Sequence, residues 1–174
     1  MLRTVNLLQM KYHLKIFLLL FVGICSAQNN LELTPQGFAS LEIQTPNKPL
    51  NQLIEASKFW APYFNKKGYD LSELTENSLT IDAKILNAYH TYNVGVKYNY
   101  DIAYTLKIVF ESNKTYRLKI SIKEIYTESI AVKTTIGDFF STDGKVKNDF
   151  KDAKPSLENS INKVLKSYSS FIAQ

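Results

Sequence analysis

Tyr98 to Ile122 reads YNYDIAYTLKIVFESNKTYRLKISI. Tyr98, Tyr100, Ile102, Tyr104, Leu106, Ile108 and Phe110 fall on every second position, with Asn99, Asp101, Thr105 and Lys107 between them. After Glu111-Ser112-Asn113-Lys114 the alternation resumes, with Tyr116, Leu118, Ile120 and Ile122 on one side and Arg117, Lys119, Ser121 and Lys123 on the other. Side chains of a strand alternate between the faces of a sheet, so each half is a strand with one greasy face. Asn and Lys in a four-residue link suit a tight hairpin. Two strands joined that closely must lie antiparallel. The stretch therefore predicts a long ribbon with one face to hide.

Elements on either side supply the cover. Leu79, Ile81, Ala83 and Ile85 alternate with Thr80, Asp82 and Lys84, which predicts another half-buried strand; residues 89–97 read as a connection with Gly95 as its flexible point. Phe38 to Ile43 reads as a first strand ended by Thr45-Pro46, and residues 130–136 as a last one. Leu50, Leu53, Ile54, Ser57, Trp60, Ala61 and Phe64 follow helical spacing, with Asn47 as the expected cap, Pro49 in the first turn and Pro62 as a stop or kink. Residues 137–154 read as a loop. A second helix, expected to start at Pro155, carries Leu157, Ile161, Val164, Leu165, Tyr168 and Phe171 on one stripe. A sheet with one apolar face must be covered, and two one-sided helices are at hand. The expected fold is α+β: an antiparallel sheet of about four to five strands with two helices on one face.

The chain of 174 residues opens differently. Lys11 and Lys15 precede the apolar run IFLLLFVGI (Ile16–Ile24), followed by Cys25-Ser26-Ala27. A basic head, a short apolar middle and a small-x-small exit is the order of a secretory signal, and the run is too short for a spanning helix. Cleavage after Ala27 is expected, with Met10 read as the start and Met1–Gln9 as an upstream extension. Lipidation of Cys25 is not favoured, because Ile24 stands where a small residue normally precedes such a cysteine. Residues 1–27 are thus assigned to the signal, 28–37 to a flexible polar segment and 38–174 to one domain. The signal takes with it Arg3, Lys11 and Lys15 of 21 basic residues, Cys25, His13 and both methionines. What remains has 18 Lys+Arg against 16 Asp+Glu, no cysteine and one histidine, His90. That removes disulfides, thiol nucleophiles and Cys/His zinc sites from consideration. It also removes much of the basicity on which a nucleic-acid reading would rest.

The helix Leu53-Ile54-Glu55-Ala56-Ser57-Lys58-Phe59-Trp60, the strand Tyr98 to Phe110 and the run Thr115-Tyr116-Arg117-Leu118-Lys119-Ile120-Ser121-Ile122 resemble a family of exported bacterial proteins of the Bacteroides–Flavobacterium group, described as a domain of unknown function with a TBP-like fold. Where that family often carries Gly-Arg-Tyr-Arg, this chain has Lys114-Thr115-Tyr116-Arg117. The resemblance covers roughly residues 38–130. It implies a TBP-like arrangement and an envelope location, and it carries no catalytic residue, cofactor or partner to transfer.

Chemistry is sparse in the rest. A lone histidine in a loop, as His90 is read, is more often a hydrogen-bonding residue than a general base. Asp82 and Asp101 point outward from their strands; a carboxylate pair can run glycoside hydrolysis, but scattered acids on a solvent face are the default. No Gly-x-Ser-x-Gly turn and no calcium-loop, zinc or phosphate-loop spacing occurs, so no cofactor or metal is assigned. Lys107, Arg117, Lys119 and Lys123 form the most concentrated charge feature and share one sheet face. They are the binding candidates, for a polyanion; the alternative is a solvated face that lysines keep soluble. The expectation is an exported, non-enzymatic binding module with an envelope protein or ligand as partner, no nucleic acid and no membrane span after signal removal. Polyanion binding, then a hydrolase using surface carboxylates, are the alternatives.

Overall fold

In a computed structural model, residues 30–128 and 130–174 are described. The assigned signal, residues 1–27, lies outside them. Leu31–Gln174 form one compact unit.

The ribbon is its spine. Strands β6 (Val96–Phe110) and β7 (Thr115–Thr127) pair antiparallel, with Leu106 opposite Ile120, Ile108 opposite Leu118 and Phe110 opposite Tyr116. All six are buried. The link closes through Glu111 N–H donating to Thr115 O at 2.8 Å, with Lys114 at φ +63°. The ribbon outruns its cover, so Tyr100 is only half-buried and Tyr98, expected inside, is exposed.

The expected connection at 89–97 is instead mostly strand. β5 (Ser78–Asn93) continues to the two-residue turn Val94-Gly95 and pairs with β6 along its length. A bulge between Ile85 and Tyr89 hides this continuity. Asn87 takes φ +51° there and donates its N–H to Asp101 Oδ1 at 2.7 Å. Such an insertion breaks the period of two, and the alternation resumes only at Tyr89 opposite Tyr100. The short strands β3 (Leu41–Gln44), β4 (Tyr69–Ser72) and β8 (Ile130–Val132) complete a six-stranded sheet of order β3-β7-β6-β5-β4, with β8 also on β7. β4 is the strand beyond the expected four to five.

Helix α1 (Leu50–Phe64) buries Leu53, Ile54, Ser57, Trp60 and Ala61. Pro49, not Asn47, occupies the cap position, without a side-chain cap bond. The helix runs two residues past Pro62 and ends at Asn65, whose Nδ2 donates to Ala61 O at 2.9 Å. Helix α2 (Ala153–Ala173) starts two residues before Pro155, whose missing N–H would have no partner in a first turn anyway. Its stripe is as expected, except that Ile172 is buried where Phe171 is half-buried. Ser57 Oγ and Tyr168 OH lie 2.8 Å apart and Trp60 Nε1 donates to Ser167 Oγ at 3.1 Å, which ties the two helices together. Among the described residues no helix is long and apolar enough to cross a membrane.

Two stretches expected to be loose contribute to the core. Leu31 and Leu33 are buried, on either side of exposed Glu32. Asn162 Oδ1 accepts from Leu31 N–H at 2.8 Å and Glu158 Oε1 from Leu33 N–H at 2.7 Å. From there β1 (Leu33–Thr34) and β2 (Gly37–Phe38) form a small hairpin that buries Phe38. In the expected loop 137–154, Phe139 is fully buried, stacked on Phe150 at 4.4 Å and set edge-on to Tyr89 at 5.3 Å. Aromatic pairs at such separations add to the burial of their area.

Candidate functional site

The register of β5, β6 and β7 places Asp82, Thr105 and Ser121 in one row of the outer sheet face, and Thr80, Lys107 and Lys119 in the next. The alternation thus brings Lys107, Arg117 and Lys119 to one face, as the sequence implies. Their surroundings balance the charge. Lys107 Nζ meets Glu73 Oε2 at 3.0 Å, Arg117 meets Glu111 at 3.2 Å and Lys123 meets Asp82 at 2.8 Å. Of the four candidates, Lys119 is in no ion pair among the described residues. With three of its four cations matched by carboxylates, the face keeps a reduced field for a polyanion.

Asp82 is the best-held of the acids. Thr105 Oγ1 donates to it at 2.5 Å and Ser72 Oγ at 3.3 Å, besides Lys123. Burial pushes its carboxyl up, but the hydrogen bonds from Lys123 and Thr105 and the Lys123 charge outweigh this and leave it below the usual range. A carboxyl depressed in the folded state contributes stability above its unfolded value, about 3.9, and loses it as pH falls through the folded value. Asp82→Asn is therefore expected to cost about 1 kcal/mol at pH 7, discounted for the exposed lysine. In urea unfolding the gap between wild type and variant should close toward pH 2; a gap that persists there would assign the loss to shape instead.

Asp82 and Asp101 do not form a pair. Asp82 lies opposite Thr105 on β6, four residues along from Asp101, which is about 13 Å of strand. Glycosidase carboxylates lie about 5–9.5 Å apart. His90 is elsewhere again, with Nδ1 3.2 Å from Ser156 Oγ. Among the described residues no cluster of three His, Cys, Asp or Glu is placed to hold a metal ion.

A cleft that the sequence does not announce lies along β7. It measures about 330 Å³, and its walls include Phe38, Lys119, Ile122, Glu124, Thr135 and Ile136. β3 pairs with β7 only as far as Leu118, and β8 takes over only at Ile125. Over Lys119–Glu124 no strand is hydrogen-bonded to this edge among the described residues, although β2 lies beside β7. Thr115 O accepts from Glu111 on the β6 side, whereas Lys114 O accepts from Thr45 N–H at 2.8 Å on the β3 side. Main-chain groups of successive strand residues face opposite neighbours. The alternation therefore turns the N–H and C=O of Ile120 and Ile122 toward the cleft.

No protein-family model and no curated protein matches this chain. Solved structures do. The crystal structure of a DUF4468 family protein from Bacteroides ovatus has a TM-score of 0.60 at 9% identity, covering 78% of this chain and 85% of that one. That of a TBP-like protein from Parabacteroides distasonis has a TM-score of 0.54 at 14% identity, covering 77% and 90%. At such identities the likeness concerns the fold. The α+β sheet under two helices is thus a TBP-like fold, as the resemblance of its helix and ribbon implies.

Proposed function

We propose that this chain is a non-enzymatic binding module of the cell envelope, exported on its N-terminal signal, that takes an extended segment of a partner protein onto the open stretch of β7. The interrupted edge carries this reading: β7 is paired above and below a six-residue gap, and the gap opens on a cleft. Unpaired strand edges are usually short, covered or charged, because they template further pairing. Here the flanking strands are both antiparallel to β7 and leave about 20 Å of its edge unpaired, with Phe38 of β2 in the wall of the cleft. An entering strand would bond to Ile120 and Ile122, set alternate side chains against Phe38 and Ile136, and present the others beside Lys119. An apolar segment with an acidic residue at one alternate position fits that pattern. Lys119 and Lys123 oppose pairing with a second copy of the same edge, which favours a different partner.

Selection of random twelve-residue peptides on the immobilised chain from Gln28 onward tests this. Selected peptides should slow amide exchange at Ile120 and Ile122. Their binding should fall by an order of magnitude or more in Ile122→Pro, where a strand-edge donor is removed. Near-ultraviolet dichroism checks that the variant remains folded. Peptides that bind without changing exchange over 119–124 would overturn the proposal.

A further inference from the structure

The far end of the β5–β6 hairpin has a chemistry of its own. Every residue from Tyr92 to Asn99 is exposed, so the two-stranded ribbon stands clear of the body there. Its exposed residues are nonetheless apolar or aromatic: Val94 at 96%, Val96 at 54%, Tyr92 at 52% and Tyr98 at 43%. They lie on both sides of the ribbon. Tyr92 and Lys97 share one row, and the flanking rows, Asn93 with Val96 and Thr91 with Tyr98, face the other way. The turn is also costly. Val94 at φ +48° and Gly95 at φ +77° follow the type I′ pattern, in which Asn-Gly is the favoured pair and a β-branched residue is an outlier.

A strained, fully exposed valine at an apolar tip is an arrangement that folding alone does not favour. A protein groove would cover one side of such a ribbon, whereas a lipid surface surrounds both. The tyrosines sit two strand residues behind the valines, about 7 Å. That is the depth to which an interfacial segment buries its apolar part, and tyrosine prefers the headgroup level behind it. Charge agrees: Leu86 to Tyr100 contains no Asp or Glu. Lys97 has no ion-pair partner among the described residues. We propose that the tip Tyr92–Tyr98 dips into an anionic lipid surface, valines first, with Lys97 at the phosphates. This contact is independent of the β7 cleft.

The test uses the chain from Gln28 onward, which contains the whole compact unit and omits the apolar leader. In Val94→Trp, the new indole should shift its emission to the blue by about 10 nm on vesicles of phosphatidylglycerol and phosphatidylcholine, and not on phosphatidylcholine alone. The only native tryptophan, Trp60, is fully buried and serves as a fixed background. Val94→Asn separates folding from binding. It should raise the thermal midpoint by about 2–4 °C, since it relieves the turn, yet lower the vesicle-bound fraction about tenfold. No blue shift, or equal sedimentation of wild type and Val94→Asn with the vesicles, would overturn the proposal. So would self-association that Val94→Asn abolishes in the absence of lipid, which would make a second copy the occupant.

Discussion

Trp60→Ala is expected to cost about 3–5 kcal/mol, the largest loss of any single truncation considered. Trp60 is fully buried on the inner face of α1, stacked on Phe64 at 5.1 Å and met edge-on by Tyr168 at 5.2 Å. Truncation removes the area, both aromatic contacts and the Nε1 donor to Ser167, and it opens a cavity between two helices that Ser57 and Tyr168 hold at a fixed spacing. Collapse into that space would break the Ser57–Tyr168 bond, so the cavity term remains. Domains of this size are stable by about 5–15 kcal/mol, so the loss takes from about a fifth to all of that reserve. Urea unfolding followed by far-ultraviolet dichroism measures this. Trp60→Phe, which keeps a ring but loses the donor, should cost roughly 1–3 kcal/mol. A loss below 1 kcal/mol in the alanine variant would mean that the helix layer is not seated on this residue.

How much of this was legible beforehand follows from where local pattern governs the chain. The ribbon was readable because Ile102 to Phe110 and Tyr116 to Ile120 keep a strict period of two, and both helices because their stripes hold the three-four spacing. The same alternation correctly puts Lys107, Arg117 and Lys119 on one face. What pairs with the first two was not readable. Glu73 and Glu111 belong to turns, and only the register brings them to Lys107 and Arg117. Continuation of β5 was hidden by a bulge at which Asn87 bonds to Asp101, fourteen residues on. Leu31 and Leu33 sit among polar neighbours and Phe139 follows no strand or helix period, so their burial depends on α2 and Tyr89, which are distant in the chain. The cleft on β7 arises because β3 and β8 each stop short, a property of neither strand alone.

Asn65 and Tyr104 should show the second largest effect, and their coupling is the sharper result. Tyr104 OH donates to Asn65 Oδ1 at 2.6 Å, and Asn65 Nδ2 donates to Ala61 O at 2.9 Å. Tyr104 lies fully inside on the central strand and Asn65 is buried at the end of α1, so this chain of bonds fastens the helix terminus to the sheet. Burial drives the Tyr104 phenol far above its usual value, so it stays protonated and a donor across the physiological range. Asn65→Leu leaves that hydroxyl buried without a partner and is expected to cost about 2–4 kcal/mol. Tyr104→Phe leaves Asn65 Oδ1 unpaired and should cost about 1–3 kcal/mol. Replacing both removes the two stranded groups together, so the double variant should lose less than the sum of the singles by about 1–2 kcal/mol. That sign shows that the two groups are directly coupled, which losses at independent sites would not show. Urea unfolding of the four proteins of the cycle at pH 7 measures it, and strict additivity would show that Asn65 and Tyr104 do not act through each other.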